Sequence, residues 1–125
     1  MTPIVLVFLG GGLGAAARYG VTIGVTRLAG SGFPLATLGI NVVGSLLMGL
    51  IAGWFALRGQ SGQEWRLFLT TGVLGGFTTF SAFSLEAVLL YERGDTVQAA
   101  LYVGLSVVLS ILALAGGLAI VRTLA

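Results

Sequence analysis

LFLTTGVLGGFTTFSAFSLEAVLL, residues 67–90, is apolar enough and long enough to cross a bilayer, yet its middle, residues 75–83, reads GGFTTFSAF. A hydrocarbon core of about 30 Å needs roughly 20 apolar residues in a helix rising about 1.5 Å per residue. Adjacent glycines followed by paired threonines make a poor helix, so the stretch predicts a membrane span that breaks or unwinds near the bilayer midplane. Broken backbone at that depth survives only where it is buried in protein or faces a cavity, because its released carbonyls and amides need partners. Released carbonyls suit a small hard cation, and released amides suit an anion. The break is therefore a candidate ion site.

Three more runs flank it, at residues 4–28, 35–57 and 97–121. The first carries Arg18 near its middle and Arg27 at its end, the other two carry no charge, and Glu86 is the acid of the 67–90 run. With 57% hydrophobic and 8% charged residues, the chain reads as an all-α integral membrane protein, one four-helix transmembrane domain over residues 1–125. A cleaved signal peptide does not fit the first run, since Met1, Thr2 and Pro3 give no basic side chain before it. Cysteine and histidine are both absent, so redox compartment cannot be inferred and the usual metal ligand is missing. Six arginines against four acids give a high pI, but no basic stripe exists, which argues against nucleic acid as a partner.

Short connections make each span run antiparallel to the one before, with both termini on one side. Arg58, Arg66 and Arg122 then lie on the side of the termini, against Arg27 and Arg93 on the other. Arginine excess sets orientation, and so even a balance fits either a weakly oriented protein or one that inserts both ways up. Four packed helices leave no central channel, so a pathway belongs between protomers. Glycines at four-residue spacing, Gly10 and Gly14, Gly20 and Gly24, Gly49 and Gly53, Gly72 and Gly76, let helices approach closely in lipid and fit an oligomer.

Polar residues in hydrocarbon need a partner or a wet path. Tyr102, Ser106 and Ser110 recur every four residues and form one stripe, as do Thr37, Asn41 and Ser45. Each hydroxyl taken alone reads as an interhelical bond or a bond back to its own helix. Two stripes together with the polar insert favour a lined route. Phe80 and Phe83 share a face if the helix resumes after the break, among Thr79, Ser81 and Ser84. They read either as packed core or as rings whose positive edges face an anion, held loosely enough to leave. A buried arginine costs at least about 2.5 kcal/mol at a helix centre, so Arg18 needs a wet vestibule or a carbonyl cluster to cap.

GGGLGAAARYG (residues 10–20), ATLGINVVGSLLMG (36–49) and GVLGGFTTFSAF (72–83) together resemble the signatures of the CrcB or Fluc fluoride channels. The resemblance implies an antiparallel, dual-topology homodimer in the bacterial plasma or inner membrane, conducting fluoride passively out of the cell through two pores. It implies that Phe80 and Phe83 turn ring edges to the anion and that Asn41 donates to it. Thr37, Tyr102, Ser106 and Ser110 line the path, and Thr79 and Ser81 beside the rings complete it. It implies a structural sodium ion on the twofold axis, held by the carbonyls of Gly75 and Thr78 from both subunits. Arg18 matches the family's vestibule arginine, and Glu86 an acid of the polar track. Ala82, Leu46 and Ala36 depart from the family pattern.

The nearest alternative is a four-span, proton-coupled exporter, which needs an intramembrane carboxylate on the first span, where this chain has Arg18 instead. A scaffolding membrane subunit would explain the glycines but not two hydroxyl stripes. No carboxylate or histidine is placed to activate a nucleophile, so the chain does not read as an enzyme. G-x-G-x-x-A at Gly10, Gly12 and Ala15 lacks both the βαβ setting and the acid about 20 residues on that a dinucleotide site requires.

Overall fold

The computed structural model describes residues 2–59 and 61–124; Met1, Gln60 and Ala125, part of the 1–125 span expected for the domain, lie outside the described residues. Its regular elements are helices, with no strand among the described residues. Four helical stretches are long and apolar enough to cross a membrane: Pro3–Ala29, Leu35–Leu57, Gln63–Glu92 and Thr96–Leu124.

Helix α1 (Pro3–Ala29) begins with proline in its first turn, where a missing N–H leaves no bond unmade. It stops at Gly30, whose φ of 78° no residue with a side chain adopts comfortably. Helix α2 (Leu35–Leu57) follows a short link and leads to the third span through Gly59 and Gly62, both at positive φ. Helix α6 (Thr96–Leu124) closes the chain.

The third span is composite. Helix α3 (Gln63–Leu67) passes into a π-helical turn, Phe68–Leu74, and then into helix α4 (Gly75–Phe77). At the end of the wide turn the Gly75 N–H donates to the Thr70 and Gly72 carbonyls, the first of these an i to i−5 bond. Thr78 (φ −81°, ψ 156°) and Thr79 (φ −150°, ψ 119°) are extended, and helix α5 (Phe80–Glu92) starts anew. The glycine pair is thus helical, and the interruption falls on the threonines after it. β-Branched residues tolerate extended backbone well, and Thr79 adds a cap, its Oγ1 accepting from Ala82 N–H at 3.1 Å.

Helix α2 packs most extensively on α6, and α1 on the π-helical turn and α4. Both seams depend on glycine. A Cβ at Gly14 would run into the Val73 carbonyl, and one at Gly49 into the Leu114 carbonyl. Backbone-to-backbone approach of this kind is how helices associate in lipid, where burial of apolar surface gives little. The core is correspondingly small, with Tyr102, Ile40 and Leu90 the largest fully buried side chains. Large apolar side chains such as Phe8, Leu13, Ile111 and Leu112 face outward. An apolar exterior of that extent requires lipid or another chain around it.

Candidate ion pathway

In a continuous helix the N–H groups of Thr79, Phe80 and Ala82 would donate to the carbonyls of Gly75, Gly76 and Thr78. Here Thr79 N–H donates to Asn41 Oδ1 at 2.8 Å, and Ala82 N–H donates to Thr79 Oγ1. The Gly76 carbonyl accepts instead from Arg18 Nε at 3.1 Å. Gly75 and Thr78 are left with carbonyls whose helical donors are engaged elsewhere. Gly75 is exposed and Thr78 half-buried, so both are accessible from outside the single chain.

Asn41 does more than point into a path. Its Oδ1 takes the Thr79 N–H while its Nδ2 donates to the Thr79 carbonyl at 3.0 Å, so the carboxamide pairs with the extended residue as a neighbouring strand would. One N–H of Nδ2 remains for another acceptor. The Thr78 hydroxyl returns to the Leu74 carbonyl at 2.9 Å, and Ser84 Oγ to the Phe80 carbonyl at 2.9 Å.

Below the break, α2, α5 and α6 enclose a groove of about 390 Å³. Asn41, Ser45, Thr78, Thr79, Phe80, Phe83, Ser106 and Ser110 all line it, which brings two residues of each predicted stripe and the ring pair to one place, while Thr37 and Tyr102 are not in its lining. The Phe80 and Phe83 centroids are 5.4 Å apart, and those of Phe83 and Tyr102 5.2 Å. Phe80 is 77% exposed in the single chain, whereas Phe83 is 8% and Tyr102 0%. Thr79 Oγ1 and Ser81 Oγ are 3.3 Å apart, Thr79 on the groove and Ser81 outside its lining.

The hydroxyls of Ser106 and Ser110 are buried without a hydrogen-bond partner. They do not return to their own helix, as Thr22, Thr70 and Thr78 do. The Tyr102 hydroxyl sits beside that of Thr37 without an aligned bond. Thr37 gives its own proton to Glu86 Oε1 at 2.6 Å.

Thr37 and Glu86 belong to a second cavity, about 240 Å³, lined also by Thr22, Thr26, Phe33 and Arg93. Arg93 donates to the Gly32 carbonyl at 3.0 Å and pairs with Asp95 at 3.3 Å. Phe83 lines the groove with Ser106, Phe33 lines the second cavity with Thr37, and Phe33 meets Tyr102 edge-on at 5.6 Å. Phe33, Thr22 and Thr26 were not marked by the sequence pattern. The dipeptide Phe33-Pro34, an aromatic fixed at the mouth of a span, was the available signal.

The two released carbonyls are oxygen donors of the kind a small hard cation takes, close together in sequence beside the extended backbone. One chain offers two such atoms, fewer than the six or so a cation of this kind prefers, so the set is completed only by donors from elsewhere.

Four membrane-capable helices, an interrupted span and a groove lined in part by unpartnered hydroxyls define a multi-pass membrane protein. Residues 5–118 match the family described as CrcB-like protein, Camphor Resistance (CrcB), and the chain belongs to it. A relative from Methylobacterium nodulans, named fluoride-specific ion channel FluC, is 57% identical over 122 residues, 98% of each chain. One of the same name from Rhodopseudomonas palustris is 60% identical over 119 residues, 95% of this chain and 96% of its own. A third, from Granulibacter bethesdensis, is 53% identical over 124 residues, 99% and 98% of the two chains. These relatives are named as ion channels, a non-enzymatic class.

Proposed function

We propose that this chain is a fluoride channel that lets fluoride leave the cell passively, working in the bacterial plasma or inner membrane as a dual-topology homodimer with two antiparallel pores. Relatives that cover nearly the whole chain and carry that name support the reading. The structural observation that carries it is the Ser106 and Ser110 pair, buried hydroxyls without partners facing the rings across the groove.

Fluoride is small and strongly hydrated, so a path for it must replace lost water with compact donors. The α6 hydroxyls, the spare Asn41 N–H and the Thr79 hydroxyl are such donors along one groove, with the Ser81 hydroxyl 3.3 Å from that of Thr79. Phe80 and Phe83 add ring edges, the positive rim of the aromatic quadrupole. None of these carries a full charge, so an ion is held weakly enough to move on. Thr37, with its proton directed to Glu86, lines the second cavity, which in this reading continues the path. A groove open along one side needs a second wall, and an inverted copy of the chain provides it in this reading. The near-even arginine balance is consistent with that insertion.

The carbonyls of Gly75 and Thr78, doubled by the partner copy, would hold a structural sodium ion at the centre of the dimer. Bound there, the ion would supply a positive charge that fixes four carbonyl dipoles and ties the two breaks together. Removing sodium by dialysis against a large organic cation is expected to weaken the dimer, read as its dissociation midpoint on dilution in detergent. An unchanged midpoint would remove sodium from the reading.

The channel itself is tested by fluoride release from liposomes that hold the purified protein, with potassium ionophore present and chloride release as control. Fast fluoride loss without chloride loss is expected, and Phe80→Ile or Phe83→Ile should suppress it by about tenfold or more, the loss of a favourable contact in a dry path. No fluoride loss from folded dimers would overturn the proposal.

A further inference from the structure

Gly10, Gly14 and Arg18 follow one another at intervals of four and share one face of α1. That face is pressed against the third span: a Cβ at Gly10 would lie 2.7 Å from the Phe68 carbonyl oxygen, and one at Gly14 would lie 2.8 Å from Phe77 N. One turn on, the same face carries Arg18, and it is the innermost nitrogen of the guanidinium, Nε, that reaches the Gly76 carbonyl. This oxygen is the one Phe80 N–H would have occupied in an unbroken helix. It lies between the two released carbonyls, Gly75 on one side and Thr78 on the other.

The backbone of the break is therefore held from two sides. Asn41 of α2 takes Thr79, and Arg18 of α1 takes Gly76.

We propose that Arg18 is a positioning residue for the break, acting through its Nε–H bond to the Gly76 carbonyl, and not an entrance charge. The bond fixes the end of α4, and with it the direction of the Gly75 and Thr78 carbonyls and the start of α5 where Phe80 stands. The inference rests on the channel reading only for its functional consequence.

Two substitutions separate the bond from the charge. Glutamine places an amide N–H as many bonds from Cα as Nε is, with no charge. Lysine keeps the charge one atom farther out and puts a methylene where Nε donates. Full-length Arg18→Gln and Arg18→Lys proteins are compared with the parent for fluoride release from liposomes and for amide exchange over residues 77–82, with exchange in α6 as the control for general loosening. Arg18→Gln should keep flux within about threefold of the parent and leave exchange at the break protected, whereas Arg18→Lys should lose about tenfold in flux and in protection, the scale of one hydrogen bond at a buried site. Lysine retaining flux and protection while glutamine loses them would overturn the proposal in favour of the charge. Loss in both, or in neither, would overturn it as well, because the Nε bond would then be insufficient or unneeded. A parent without fluoride flux would defeat the channel reading, and the exchange data would still decide the role of Arg18.

Discussion

The seam between α1 and the third span and the stripe along α6 are both polar regions inside an apolar protein, and they handle polarity in opposite ways. Along the seam and the α2 face beside it, side chains are matched to backbone: Arg18 to Gly76, Thr22 to Arg18, Thr78 to Leu74, and Asn41 to both the N–H and the carbonyl of Thr79. Along α6, Ser106 and Ser110 are buried and open. An unmade bond in a dry interior costs on the order of 1–3 kcal/mol, so an open stripe is not a neutral arrangement. Matched groups hold backbone in place; unmatched ones are available to something that arrives and leaves.

The comparison breaks most visibly at the seam. Gly14→Val would drive a branched side chain into the Val73 carbonyl and Phe77 N, atoms of backbone that cannot swing aside. We expect a loss of about 3 kcal/mol or more, seen as collapse of the monodisperse peak in detergent. A folded variant with the parent's melting temperature would show that the seam is looser than described. Asn41→Leu comes next. It strands the Thr79 N–H and carbonyl, and should lower stability by about 2 kcal/mol, measured as the midpoint of thermal unfolding, and abolish fluoride flux with it. Flux retained at reduced stability would move Asn41 wholly to the structural side. Ser110→Ala is the smallest in stability and the sharpest in contrast. Removing a hydroxyl that has no partner should leave the melting midpoint within about 0.5 kcal/mol of the parent, or raise it, while fluoride flux falls about threefold. A clear drop in stability would mean that the stripe is structural after all.

The spans were legible because length and apolarity are local properties. Residues 35–57 coincide with α2, and the third helical stretch, Gln63–Glu92, extends a few residues past the expected 67–90 at each end. The stripes were legible for the same reason, since helical period fixes which residues share a face. What lies across from a face is not local. Nothing in the spacing of Thr37 and Asn41 announces that one would meet Glu86 and the other the backbone of Thr79. The reading placed weakness at Gly75 and Gly76, but both glycines are helical, and a Cβ at Gly76 would run into the Gly11 carbonyl of α1. Close approach, not flexibility, is what Gly76 requires. Of the four glycine pairs, Gly20 and Gly24 meet nothing within 4 Å, although their spacing matches that of the other three. The π-helical turn left no mark either, because FLTTGVL is as compatible with an ordinary turn as with a wide one.

That wide turn carries a consequence for how the gene can vary in length. A single π turn accommodates one residue more than an α turn over nearly the same rise. A codon lost between Phe68 and Leu74 can be absorbed where it occurs, by the turn tightening to the ordinary form, with Gly76, Thr78 and Thr79 kept in register against Arg18 and Asn41. A codon lost after Thr79 has no such slack, and would turn Phe83 and everything beyond it by about 100° around the helix axis.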